Sequence, residues 1–204
     1  MTTSCIDICS QALTLLRANT ICSFEEDSEE AKTCSILYET FIKDIFSRYP
    51  WSFSKKIAKL GRIYYEPLKK YKYAYNIPSD CSRIWGVFND EKIVNDYEII
   101  DVDEKGLTVI LSNEESITLE YNKIIEELLW PGYFVNYAIY AFADMLAGPI
   151  TDDDAIVDKM HRLAYGAPNE NEKGGKFGIA TNIDSQQKPS TAMDCDILIN
   201  ARFA

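Results

Sequence analysis

The chain has 204 residues, of which 47% are hydrophobic and 26% charged, and its formal charge is −11. That length holds one folded unit with or without an arm and excludes two full enzyme domains, since single cores run to roughly 100 to 200 residues. The composition excludes disordered, collagen-like and disulfide-scaffold classes, and 32 acidic against 21 basic residues exclude a general nucleic-acid binder, because such a surface repels phosphate.

Thr3 or Ser4 caps a first helix at 4–18, where Ile6, Cys9, Leu13 and Leu16 recur at three- and four-residue steps and form one apolar stripe. A connection holding Ile21 and Phe24 follows. Asp27 stands three residues before Glu30, a capping-box analogue, and opens a second helix at 28–49 with the stripe Ala31, Cys34, Tyr38, Phe41 and Ile45. Pro50 ends it, because the residue before a proline is driven out of helical geometry. The acids Glu25, Glu26, Asp27, Glu29 and Glu30 sit where a helix N-terminus carries partial positive charge, so they serve the helix first.

Between 51 and 122 the pattern turns β-rich, with runs at 73–77, 82–88, 97–102, 107–111 and 117–121 separated by breakers such as Pro78-Ser79-Asp80 and Glu104-Lys105-Gly106. The reading is one small antiparallel sheet whose last hairpin sets Leu107, Val109 and Leu111 opposite Ile117, Leu119 and Tyr121. Pro131 opens a third helix at 132–148, apolar almost throughout except for Asn136 and Asp144, and therefore surrounded by protein. As a membrane span it is too short, stopping at Gly148-Pro149, and Asp144 would cost roughly 2.5 to 3.5 kcal/mol at a bilayer centre.

Asp152, Asp153 and Asp154 cap a fourth helix at 153–165, with Ile156, Val157, Met160 and Leu163 on one side. After Gly166 the chain turns polar and glycine-rich, poor material for a rigid core, with a weak helix around 169–187. It becomes apolar again at Ile197, Leu198, Ile199, Ala201 and Phe203, which suggests a C-terminal arm over 166–204 that docks on something. The fold class is α+β, mainly helical, with residues 1–165 as the body and the β-rich insertion at 51–122.

No N-terminal run resembles a signal peptide, so the expected compartment is a reducing cytoplasm and the six cysteines are expected as free thiols. Cys5 and Cys9 share a helical face at a spacing that suits either a metal pair or buried apolar fillers, but one histidine and no C-x-x-C leave a tetrahedral site incomplete. That histidine, His161, lies beside Met160 and Leu163 as a packing or surface residue, the only imidazole available as a base. No nucleophile elbow, phosphate loop, dinucleotide fingerprint or H-E-x-x-H is present. Asp152-Asp153-Asp154 lacks the ligand alternation and glycine of a calcium loop.

Charge is unevenly placed. Residues 1–54 carry a net −4, residues 55–72 a net +6, and residues 73–204 a net −13. One basic island (Lys55, Lys56, Lys59, Arg62, Lys69, Lys70, Lys72), interleaved with tyrosines, is thus set in an acidic molecule. Three readings fit: a stacking groove for single strands, a solvated loop, or a basic edge that meets an acidic face of an identical neighbour and closes a ring. Trp51 and Phe53, after the helix break, either lock the helices to the β-rich part or are plain core aromatics.

The stretch 21–31 (ICSFEEDSEEA), then Cys34, Tyr38, Asp44 and 49–53 (YPWSF), resembles the N-terminal half of the tail tubular protein A, or head-to-tail adaptor, family of short-tailed phages. Residues 73–84 (YAYNIPSDCSRI) are similar to that family's Y-x-Y-x-L-P-x-D-C-x-R-V segment, and 117–121, Trp130-Pro131 and the alanine-rich third helix continue in the same order, covering about 3–165. The resemblance implies an antiparallel helical bundle with an inserted small antiparallel β-domain, assembled as a dodecameric ring below the portal protein. Such a ring extends the exit channel for double-stranded DNA, carries the next tail or nozzle protein, belongs to the virion neck and is assembled in the host cytoplasm. It implies no cofactor and no catalytic residue. Lys55, Lys56, Lys59 and Arg62 are then the expected subunit contact, and Ile197, Leu198, Ile199 and Arg202 the expected portal-docking end. The alternative from another class is a tail-associated cell-wall hydrolase using paired carboxylates.

Overall fold

The computed structural model describes residues 3–64, 70–90, 92–101 and 108–187. The fold is mixed α+β. Helix α1 (Cys5–Leu15) starts on Ser4, whose hydroxyl accepts from the Asp7 N–H while the Asp7 carboxylate accepts from the Ser4 N–H, a reciprocal cap. The helix ends three residues before the expected position. Arg17 takes a left-handed backbone at φ 61°, and the Ala18 N–H reaches back to the Leu13 carbonyl, which closes the last turn with arginine in the place glycine usually fills.

Helix α2 (Glu29–Arg48) is capped by Ser28, not by Asp27: the Ser28 hydroxyl accepts from the Ala31 N–H, and Asp27 instead pairs with Lys32 at 2.7 Å. Glu26 turns back to accept from the Cys22 and Ser23 N–H groups, and Glu30 accepts from Asn19, so this acidic run also ties down the preceding connection. Tyr49 is extended ahead of Pro50, as the proline demands.

Helix α3 (Gly132–Ile150) lies at the centre and packs against α1, α2, α4 (Asp154–Tyr165) and α5 (Gly175–Gln186). Phe134, Tyr137, Ala138, Phe142 and Leu146 are all wholly buried on it. Pro131 is its N-cap, accepting from Phe134 and Val135, and not its first helical residue. The helix also runs two residues beyond the expected stop. Pro149 removes one donor, but the Thr151 N–H restores the ladder on the Ala147 carbonyl, so a proline in the last turn does not end the helix.

The segment after Gly166 contributes one helix to the core. Helix α5 buries Phe177, Ala180 and Asp184 against the rest of the protein. The glycines there serve close approach: Gly175 stands at φ 55°, and a Cβ on it would lie 2.6 Å from the Leu163 carbonyl oxygen at the end of α4. The Gly174 N–H donates to the Tyr165 carbonyl at 2.9 Å, which fastens the two helix ends together.

The β region forms two four-stranded antiparallel sheets, not one. Sheet A has the order β1 (Lys55–Lys59), β8 (Thr118–Lys123), β4 (Cys81–Asn89), β5 (Lys92–Ile93); sheet B has β2 (Arg62–Ile63), β3 (Tyr73–Asn76), β7 (Thr108–Ser112), β6 (Tyr97–Asp101). The expected hairpin of 107–111 with 117–121 does not form. Strand β7 pairs with β3 and β6, whereas β8 pairs with β1 and β4. The physical reason lies in Ile110. Val109, Ile110 and Leu111 are all buried, so β7 needs cover on both faces, which a hairpin exposed on one face cannot supply. Separating β7 from β8 lets Tyr75 and Ile110 of sheet B face Val87, Leu119 and Tyr121 of sheet A, while Val109 and Leu111 pack on the other side with Ala74 and Tyr71.

The junction between helices and sheets is polar at its centre. Trp51 is wholly buried, its indole N–H donating to the Ile45 carbonyl at 2.9 Å, and its ring meets Phe134 edge-on at 4.8 Å. Its own carbonyl accepts from the buried Asn122 amide of β8, which also takes the Trp85 indole N–H and reaches Ser54. Trp51 is thus a core aromatic whose backbone is tied to the sheet. Asp184 of α5 accepts from the Ser52 N–H and hydroxyl and, at 2.7 Å, from the Tyr133 hydroxyl.

Candidate subunit-contact surface

The four residues expected at a subunit contact lie on two edge strands. Lys55, Lys56 and Lys59 are on β1, the edge of sheet A, and Arg62 is on β2, the edge of sheet B. Leu60 and Gly61 carry the chain from one sheet to the other, so both strands lie on one side of the β region. Nothing in KKIAK has the apolar alternation of a strand, which is why sequence reading missed β1; it forms because Ala58 packs inward opposite Leu119 while backbone pairing to β8 holds the rest.

The cations on this side are partly satisfied within the chain. Lys55 meets Glu120 at 2.5 Å, and Lys56 meets Asp80 at 2.9 Å. The Arg62 guanidinium lies 3.9 Å from the centre of the Tyr73 ring and donates to the Glu115 carbonyl. Lys59 is exposed and makes no ion pair among the described residues. Hydrogen bonding to Asp80 raises the Lys56 ammonium above its ordinary value, and Lys56 in turn holds the Asp80 carboxyl below the usual carboxylate range. Such exposed pairs contribute about 0 to 1 kcal/mol and exchange partners readily. Between the lysines stands Ile57, 63% exposed, an apolar residue presented outward from a charged edge. Sequence reading passed over it because charge dominates the run.

The expected portal-docking residues Ile197, Leu198, Ile199 and Arg202 lie outside the described residues, as do Lys69 and Cys195. Lys70 pairs with Asp96 at 2.6 Å and lies away from β1. The thiols of Cys5, Cys9, Cys22, Cys34 and Cys81 are free. Cys9 of α1 and Cys34 of α2 meet in the core, where the hydrogen bond with the Cys34 sulfur and then burial raise the Cys9 thiol above its ordinary value. Among the described residues, no group of three or more His, Cys, Asp or Glu is placed to hold a metal ion, and no helix is long and apolar enough to cross a membrane.

His161 of α4 stands 3.3 Å from Asp144 of α3. Burial raises the Asp144 carboxyl above its ordinary value, and the imidazole opposes that shift. His161 also borders a cleft of about 510 Å³ with Gly166, Ala167, Pro168, Asn171 and Glu172. The carboxylate on its wall, Glu172, is bound to Arg48 at 3.1 Å.

No protein-family model matches the chain, and no curated protein matches it significantly.

Proposed function

We propose that this protein is a structural component of a virion neck: a head-to-tail adaptor whose copies join into a ring, dodecameric by resemblance, below the portal protein. In this reading the helices form an antiparallel bundle that carries the β region as an insertion, and residues 166–204 form an arm whose end, with Ile197, Leu198, Ile199 and Arg202, docks on the portal. The ring lengthens the DNA exit channel, carries the next tail component, and needs no cofactor or catalytic group.

The observation that carries the proposal is the gathering of Lys55, Lys56, Lys59 and Arg62 on adjacent edge strands around the exposed Ile57, in a molecule otherwise strongly acidic. A conduit must not retain what it conducts, and acidic walls keep phosphate from adhering. Edge strands with unpaired backbone groups are natural places for one chain to add to another. The ordered matches to the adaptor pattern over about 3–165 support the same reading.

The test is electron microscopy of the protein alone and mixed with purified portal, together with particles from a strain lacking it. The expected result is a collar on the portal, and mutant particles that lose their genomes for want of that collar. Particles with an intact neck in the absence of the protein would refute the proposal.

A further inference from the structure

The contact proposed above needs an acceptor, and the sheet topology supplies one. Strands β1 and β2 are joined edge to edge across the two sheets; so are β5 and β6, through residues 94–96. Because β1 and β5 are the two edges of sheet A, and β2 and β6 the two edges of sheet B, the β5–β6 side lies opposite the β1–β2 side. Three inter-strand steps separate them, about 14 Å.

The two sides carry opposite charge. Residues 55–63 hold Lys55, Lys56, Lys59 and Arg62 and no acid, whereas residues 90–101 hold five acids and one lysine. Lys70 pairs with one of those acids, Asp96, and Glu98 also has a partner within the chain; the formal charge of the segment is −4. Each edge also presents an isoleucine at the middle of a five-residue strand: Ile57 in KKIAK is 63% exposed and Ile99 in YEIID is 44% exposed, with Ile93 of β5 at 66% beside it. Among the described residues, β1 pairs only with β8 and β6 only with β7, so each strand has an open side.

We infer that the β1–β2 edge of one copy docks on the β5–β6 edge of the next, with Ile57 set against Ile99 and the lysines of β1 among the acids of β6. The partner is a second copy of this chain, and the inference rests on the ring reading. A basic edge complements the acidic edge but not itself, so the contact cannot be two-fold; every copy uses both edges, and the series either closes into a ring or runs on as a filament. Internal pairs such as Lys55 with Glu120 do not oppose this, since exposed pairs contribute little and can be re-formed across a contact.

The test uses the full chain in three forms: wild type, Lys55→Glu/Lys56→Glu/Lys59→Glu, and Glu98→Lys/Asp101→Lys. Self-association is followed by sedimentation velocity at low and high ionic strength, with circular dichroism to verify folding. Wild type mixed from two isotope labels is also treated with a zero-length carbodiimide cross-linker. The expected results are cross-links between copies from the β1 lysines to Glu98 or Asp101, and association that weakens with salt. Each reversed form alone is expected to associate at least about tenfold more weakly, and the two mixed together to recover association as alternating copies. Folded reversed forms that associate like wild type, or a mixture that stays apart, would overturn the inference. Wild-type rings cross-linked through other surfaces would overturn it while leaving the ring reading intact. A wild type that never assembles, with or without portal, would overturn both.

Discussion

At the scale of single residues, the most consequential position is one that sequence patterning passes over. Asp184 sits in a polar stretch, yet it is wholly buried and accepts from the Ser52 backbone and hydroxyl and from the Tyr133 hydroxyl. It holds the last turn of α5 to the break between α2 and β1. Replacing it with alanine leaves those donors without a partner, and Asp184→Ala is expected to cost about 3 kcal/mol in urea unfolding, with Asp184→Asn costing less because one acceptor survives. Asp80 shows the exposed counterpart. Lys56 holds its carboxyl below the ordinary value of 3.8, so its pairing stabilises the fold above that pH and is lost as pH falls through the lower, folded value. Asp80→Asn is therefore expected to lower stability by less than about 1 kcal/mol at neutral pH, a difference that closes in acid; melting curves of both proteins across the acid range measure it.

At the scale of elements, helices were legible and strand partners were not. Ser4, Ser28 and Asp153 cap their helices with bonds that a sequence advertises, although at α2 the cap is Ser28 while Asp27 pairs with Lys32. The glycines read as breakers turn out to differ from one another. Gly148 lies within α3 with open space where a methyl group would stand, whereas Gly175 abuts the end of α4 at positive φ. Gly148→Ala is expected to stabilise by about 0.5 to 1 kcal/mol through helix propensity. Gly175→Ala is expected to destabilise by about 1 to 3 kcal/mol, as strain and a backbone clash add; paired urea titrations would show the opposite signs. The failed hairpin teaches the same lesson for strands. The alternation read at 107–111 does not hold, since Val109, Ile110 and Leu111 are all buried: the strand is covered on both faces, and it pairs with β3 and β6.

At the scale of the whole molecule, charge is the governing property. A net −11 with one basic side predicts that duplex DNA is not retarded by this protein in gel shifts at physiological salt, even though the proposed channel encloses it. If the end docks on the portal as proposed, removing residues 197–204 weakens co-sedimentation with portal. What the sequence by itself determined were quantities local in the chain: total charge and its one basic island, the helix starts, the break at Pro50, and the burial of the apolar third helix. Their causes act within a few residues, through caps, proline sterics and periodicity. Tertiary structure alone decided that the β region is two sheets, that α5 packs into the core, and that the basic β1–β2 edge and the acidic β5–β6 edge stand opposite one another. Those outcomes come from pairing and burial between residues far apart in the chain, where each strand's neighbours are chosen by which surfaces still need cover.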